Sequence, residues 1–399
     1  MMVRSFWSKI NYSDLYILGW LIVVIITSSQ PTAISGKLMI LLTLWSFYYF
    51  IKVLFIKNNN KVLKSLNLLV VMFSVYGLLH VLFGSVLYVQ ATDIVVSQSN
   101  YIKGIYVSIL PIYTFFYFAQ KNLITKEKVR FWSLLFVFVA IVQYYNTYMN
   151  TALAFINQDS FTNNAGYIIV SLFPLLALWN QNKFVKLLVA ILIVILAVLS
   201  AKRGAMMIAF LCVLFMFRSI LRNGTKSSKL KITFLIFLAS VVLFIFIKEQ
   251  FSSNDYLLMR LEKTLAGDTN GRDEISSEFL SYYANDYNII QQIFGGGAEN
   301  TINISDNYAH NDWIEILINN GIVGFLVFFY FWLTMIKTWL KSNNNNFIYE
   351  VMGLYIIIYL PMTLFSMSYI SNQIYSSIML GLVFSELSNR RLYYYEKIK

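Results

Sequence analysis

Cysteine, proline, histidine and charge are all scarce in this 399-residue chain, and each shortage removes a class of explanation. A single cysteine, Cys212, leaves no disulfide framework and no cysteine metal site. Four prolines, Pro31, Pro111, Pro174 and Pro361, are few for the repeat-related broken helices of secondary transporters. Only 13% of the residues are charged and 58% are hydrophobic, which excludes a soluble domain. The composition points to an all-α polytopic membrane protein.

Apolar segments can be read at 15–26, 38–56, 66–89, 104–119, 131–149, 166–179, 184–201, 205–217, 232–247, 321–340, 347–365 and 374–387. Residues 1–399 are therefore expected to form one integral-membrane domain of about 12 transmembrane helices. Two basic residues precede the first segment and no small-residue cleavage motif follows it, so that segment is expected to be a retained helix. Two asparagine runs, 58–60 and 343–346, read as solvated connections.

Lys202-Arg203-Gly204 interrupts what would otherwise be one apolar run from Phe184 to Phe217. As a single helix that run would reach roughly 50 Å, well beyond the roughly 30 Å of a hydrocarbon core, so it must be two spans joined by a turn. Two cations in a turn at membrane depth are costly unless they meet water, carboxylates or an anionic ligand. Placing both termini inside puts 23 of the 31 basic residues on the inner side. Lys202, Arg203 and Arg272 are among the eight left outside, so the turn opens outward. The formal charge of +12 is inner-leaflet anchoring and not a nucleic-acid footprint, because residues 249–321 carry 12 acidic groups against three basic ones.

Those residues belong to one long outer loop, 248–320, which lacks a membrane-length apolar run. Amphipathic pieces at 254–265, 273–287 and 312–318 predict short helices within it. A Gly295-Gly296-Gly297 turn reads either as a site of close backbone approach or as a flexible connector.

The chain has two histidines. His80 lies within the third apolar segment, where an interhelical hydrogen bond is its simplest role. His310, in Tyr308-Ala309-His310-Asn311-Asp312-Trp313-Ile314-Glu315, stands at the outer mouth of the tenth segment. There an imidazole can titrate near neutrality and act as a general base, or simply start a helix.

Ala201-Lys202-Arg203-Gly204-Ala205, then Gly271-Arg272, the glycine run, His310-Asn311 with Ile314-Glu315, and Gly321-Ile322-Val323-Gly324 occur in this order on one side. That succession resembles the bacterial O-antigen polymerase and O-antigen ligase superfamily, integral-membrane glycosyltransferases with polyprenyl-diphosphate donors. The resemblance covers about residues 163–331 and rests on topology elsewhere. It implies an inner-membrane enzyme with cytoplasmic termini and a periplasmic active site partly carried by the loop. Arg203 and Arg272 would hold the donor diphosphate and His310 would activate the acceptor, with neither metal nor cofactor. Lys202, Asn311, Tyr308, Glu315 and Asn164 are the expected substrate contacts.

Each of these has a plainer reading. Lys202 can snorkel to headgroups, Asn163, Asn164 and Tyr308 can be interface residues, and Asp312 and Glu315 can serve the helix dipole or orient His310. Ligases of the superfamily often have Ser-Arg-Gly at the first motif, so Lys202-Arg203-Gly204 leans toward the polymerase branch. Implied partners are an undecaprenyl-diphosphate-linked oligosaccharide donor and acceptor, membrane lipids, a chain-length regulator and a flippase, with no nucleic acid. The competing class is a lipid-linked oligosaccharide flippase or polysaccharide exporter, which shares the layout. No internal repeat supports it, and charges deep in the apolar segments are almost absent outside the 202/203 turn.

Overall fold

The computed structural model describes residues 11–29, 33–56, 60–83, 89–91, 94–96, 104, 106–154, 165–222, 271–305, 308–365 and 373–396, with isolated residues at 233, 245, 248, 249 and 262. Its elements are α1 (Tyr12–Ser29), α2 (Ala33–Phe55), α3 (Lys61–Phe83), a hairpin of β1 (Val89–Ala91) and β2 (Ile94–Val96), α4 (Pro111–Gln120), α5 (Lys126–Ala154), α6 (Gly166–Val170), a 3-10 segment (Phe173–Trp179), α7 (Lys183–Leu199), α8 (Arg203–Arg222), α9 (Arg272–Asn285), α10 (Ile289–Phe294), α11 (Asn300–Ser305), α12 (Asp312–Lys341), α13 (Asn346–Phe365) and α14 (Ile374–Glu396).

Helical elements coincide with eleven of the expected apolar segments; the segment 232–247 lies outside the described residues except for isolated positions. Five of these helices, α2, α3, α5, α12 and α13, are long and apolar enough to cross a membrane. Val89, the last residue of the third segment, lies in β1, which pairs antiparallel with β2 through Val89–Val96, Gln90–Val95 and Ala91–Ile94; residues 84–88 lie outside the described residues. The sixth is two short pieces, because Pro174 has no amide hydrogen for a continuing helix.

α14 packs along α4 and the 3-10 segment, α12 along α3 and α13, and α8 along α7 and α13. Aromatic rings fill the joints: Tyr16 is fully buried and meets Trp45, Phe115 and Phe118 edge-on, with its hydroxyl 2.5 Å from Ser46 Oγ. Charges near the ends of the apolar segments are paired where they are buried. Lys186 and Glu350 form an ion pair between α7 and α13 with both side chains only 1% exposed, and Asn180 Oδ1 accepts a second bond from the same ammonium. Asp14, on α1, is likewise buried, accepting from Lys128 Nζ at 2.7 Å and from Trp132 Nε1 at 3.1 Å. Each charge is tolerated because it is paired; removing one partner of such a pair costs about 3–5 kcal/mol.

The asparagine runs also differ from expectation. Asn60 is buried, its Oδ1 accepts from Val62 and Leu63 N–H at the start of α3, and its Nδ2 donates to Phe384 O on α14 at 3.2 Å. Asn345 does the same for α13, accepting from Phe347 and Ile348 N–H and donating to Glu386 on α14 at 2.7 Å. Both are helix caps that tie a connection to α14; Asn343, Asn344 and Asn346 are exposed as a solvated run would be, and residues 58–59 lie outside the described residues.

The loop elements α9 and α11 and the first turns of α12 share a small core of their own, built on Phe279, Tyr287, Ala309 and Ile318. Its attachment to the bundle depends on a break in α12. Gly321 leaves the helical region at φ 64°, ψ −166°, so the carbonyls just before it lose their partners in the next turn. The glycine run supplies replacements: Gly296 N–H donates to Ile318 O at 2.9 Å and Gly297 N–H to Asn319 O at 3.0 Å. Tyr287 Oη donates to Ile318 O, and Tyr76 Oη, on α3, donates to Asn320 O at 3.1 Å. The two chains approach so closely that a Cβ on Gly295 would lie 2.3 Å from Asn319 O, and one on Gly321 would lie 2.4 Å from Ile293 O. Gly321→Ala is therefore expected to destabilise the protein by at least about 2 kcal/mol, from positive φ and backbone overlap together. Gly36→Ala, where nothing lies within 4 Å of the added carbon, should be neutral or slightly stabilising when both are unfolded thermally in detergent.

Candidate active site

The turn between α7 and α8 is built around Ser200. Its hydroxyl donates to Ala197 O at 2.6 Å and accepts from Lys202 N–H at 3.3 Å, while Ala201 takes a left-handed φ of 51°. Lys202 thereby ends the turn and Arg203 opens α8, both half-buried. Tyr167, on α6, lies over this turn: a Cβ on Gly204 would fall 2.3 Å from its hydroxyl, and Lys202 Nζ sits 5.8 Å from its ring centroid. Gly204 is thus the residue that lets a tyrosine hydroxyl reach the first turn of α8.

On the loop, Arg272 opens α9 behind Gly271, whose φ is 76°. His310 is exposed and adopts a left-handed φ of 49°, which a branched or bulky side chain adopts only when its neighbours fix it. Ala309, 1% exposed, anchors one side in the loop core. Asn311 fixes the other by capping α12, its Oδ1 accepting from Trp313 N–H at 3.0 Å and from Ile314 N–H at 3.4 Å.

Glu315 holds the segment together. It is fully buried; one carboxylate oxygen accepts from Thr301 Oγ1 at 2.6 Å and Asn319 Nδ2 at 2.9 Å, and the other from Ala309 N–H at 3.0 Å. Through Ala309 it holds the residue next to His310. Trp313 then fastens this segment to the bundle, donating to Thr363 Oγ1 at 2.9 Å and packing edge-on against Phe328 at 4.9 Å.

The loop and the turn meet electrostatically. The basicity of His310 is lowered from the usual histidine value, first by desolvation and then by the positive charges of Arg272 and Lys202. The Arg272 charge also reaches Tyr167. Tyr308, half-buried, has its hydroxyl pushed well above the ordinary tyrosine range by burial and by the neighbouring Glu299 and Glu315 carboxylates, so it stays a neutral hydrogen-bonding group. The result is a neutral imidazole facing a cationic field, with a tyrosine between the two basic elements. Such an arrangement can hold an anion and accept a proton beside it.

Arg272 and Lys202 therefore each act on His310, and Arg203 adjoins Lys202. Asn311 and Glu315 serve as cap and anchor of the histidine segment. Asn163 and Asn164 lie outside the described residues, as does the side chain of His80. Tyr167 was not singled out from sequence, because a tyrosine among apolar residues carries no signal of its own. Its only trace is Gly204, a residue without a side chain where α8 begins. Among the described residues no group of three or more His, Cys, Asp or Glu stands where it could hold a metal ion.

A helical bundle with several membrane-length helices, bearing a loop that carries Arg272 and His310, defines the class. Within it, residues 187–329 match the family model described as O-antigen ligase, which supports the O-antigen polymerase and ligase superfamily. Lys202, Arg203, Arg272, His310, Glu315 and the Gly321 break all fall inside that match, whereas Tyr167 lies before it. No curated protein matches the chain significantly.

If Glu315 holds the histidine segment, Glu315→Gln should turn one acceptor oxygen into a donor facing a donor and cost about 1.5–3 kcal/mol at the loop. Hydrogen exchange should show faster exchange over 301–311, including the Ala309 amide, while the amides of α13 keep their protection. Unchanged exchange at 301–311 would contradict that role.

Proposed function

We propose that this protein is a surface-polysaccharide polymerase of the O-antigen type. It transfers a growing glycan from undecaprenyl diphosphate to the non-reducing-end hydroxyl of a second lipid-linked repeat unit. In this reading the chain spans the bacterial inner membrane 12 times with both termini in the cytoplasm, and the loop 248–320 faces the periplasm. The observation that carries the proposal is the convergence of Lys202 and Arg272 on His310, within the segment matching the O-antigen ligase family model.

The donor presents its diphosphate at the boundary between bilayer and water, the level at which α12 breaks and the cationic turn opens. Arg203, fixed at the start of α8, grips the phosphate oxygens through its planar fork; Arg272 closes on them from the loop. As the acceptor oxygen attacks the anomeric carbon, the bond from that carbon to the phosphate oxygen breaks and undecaprenyl diphosphate leaves. The acceptor proton passes to His310. The cations stabilise the charge that collects on the leaving group, and no reorganisation is needed because the turn and the loop are already in place.

His310 is tuned for this order of events. Free, its basicity is lowered by desolvation and then by Arg272 and Lys202, which favours the neutral form that can accept a proton. With the diphosphate bound, those two charges are compensated and the imidazole becomes a stronger base. The base is thus strengthened when the donor is present.

The ligase reading, in which the glycan goes to a lipid A-core, draws on the family description and uses the same donor chemistry. The motif Lys202-Arg203-Gly204 favours the polymerase branch. Purified protein in detergent, given lipid-linked repeat units, should lengthen them with no ion gradient. His310→Ala should lower the rate about 100-fold or more, and Arg203→Lys about tenfold or more through loss of bidentate contact. Wild-type protein that makes no polymer but transfers glycan to added lipid A-core would establish the ligase. Equal product from wild type and His310→Ala would refute the mechanism.

A further inference from the structure

One element of the loop is inside out. In α10, Ile289 is 73% exposed, Ile290 66%, Phe294 53% and Ile293 37%, so all four of its apolar side chains face outward. Its polar groups are occupied by hydrogen bonds within the loop. Asn288 and Gln291 satisfy each other in a capping box, Gln292 Nε2 donates to Tyr283 O and Tyr287 O, and Tyr283 Oη donates to Gln292 O at 2.7 Å. No charged residue occurs between Asp286 and Glu299. A water-facing helix shows the reverse pattern; a helix with paired polar groups and bare apolar ones is suited to lipid.

Its position agrees. Ile293 O and Gly295 N lie against the Gly321 break, where the apolar part of α12 begins. From that point Ile322, Leu326 and Phe329 run down α12 at helical spacing and are exposed on the outside of the bundle, as a lipid-facing stripe would be. The apolar face of α10 continues this stripe beyond the break.

We propose that α10 is an interfacial helix seated among the acyl chains of the leaflet on the loop side of the bilayer, with membrane lipid as its partner. The proposal rests on α12 spanning the membrane and not on the reaction proposed above. By this seat the loop carrying Arg272 and His310 is held at headgroup depth. The glycine run then has a second use: it joins an element embedded in lipid to the broken helix with no side chain in between.

The test is fluorescence quenching in nanodiscs that contain no polyprenyl lipid. Bimane is attached at Ile289→Cys and, separately, at Ile290→Cys, with Leu326→Cys as the lipid-facing reference and Ser281→Cys as the water-facing one. The native Cys212 is buried, so wild-type protein is the unlabelled control. Lipids brominated in mid-chain should quench both α10 labels to at least about half the extent seen at Leu326→Cys, with iodide quenching at least about fivefold weaker than at Ser281→Cys. Iodide quenching equal to that at Ser281→Cys at both positions would overturn the proposal. So would protection from both quenchers, which would place another part of this chain or a second copy over the patch.

Discussion

A helix that stops at the edge of a membrane leaves carbonyls with no partner in the next turn, and lipid supplies none. At Gly321 this protein meets that constraint with the amides of Gly296 and Gly297 and the hydroxyls of Tyr287 and Tyr76. The consequences extend well past the break. Because the replacement donors come from the loop, the loop must pack against α12 at one height and in one orientation. Because Tyr76 comes from α3, the same carbonyls join the loop to the bundle. His310, eleven residues before the break, inherits its position through Ala309, Asn311 and Glu315.

The same economy marks the basic side of the site. The backbone at Lys202 is held by Ser200 and Tyr167 packs over Gly204, so the turn that carries the two cations is built within the bundle itself. A preorganised positive field costs stability in an empty site and returns it when an anion binds. The depressed basicity of His310 comes first from desolvation and then from that field. Elsewhere in the bundle Lys186 meets Glu350 and Lys128 meets Asp14, each charge neutralised by a neighbour.

Hydropathy made the helices legible, because an apolar segment of membrane length has few other uses; this is why eleven of the expected segments coincide with helical elements. Arg272 and His310 were legible as chemistry, being rare charged or titratable groups beside a loop. The roles of Asn60, Asn345 and Glu315 were hidden for a common reason. Each acts through hydrogen bonds to residues brought near by tertiary packing, such as Phe384, Glu386 and Thr301, which no local pattern announces. The glycine run shows the limit most clearly. Sequence allowed both a connector and a close approach, and the choice depended on carbonyls more than twenty residues away.

The scarcity of histidine offers a direct test of the central claim that the loop base and the basic residues around it form one diphosphate site. With histidine carrying an isotope label, the protein has only two imidazoles to follow, His80 and His310. An NMR titration in nanodiscs, assigned with His80→Asn, should show His310 titrating below the ordinary value of about 6.5 in the free protein. Adding undecaprenyl diphosphate should move its titration upward, and Arg272→Gln should raise it in the absence of lipid. A His310 that titrates at or above the ordinary value, or does not respond to the lipid, would contradict the account.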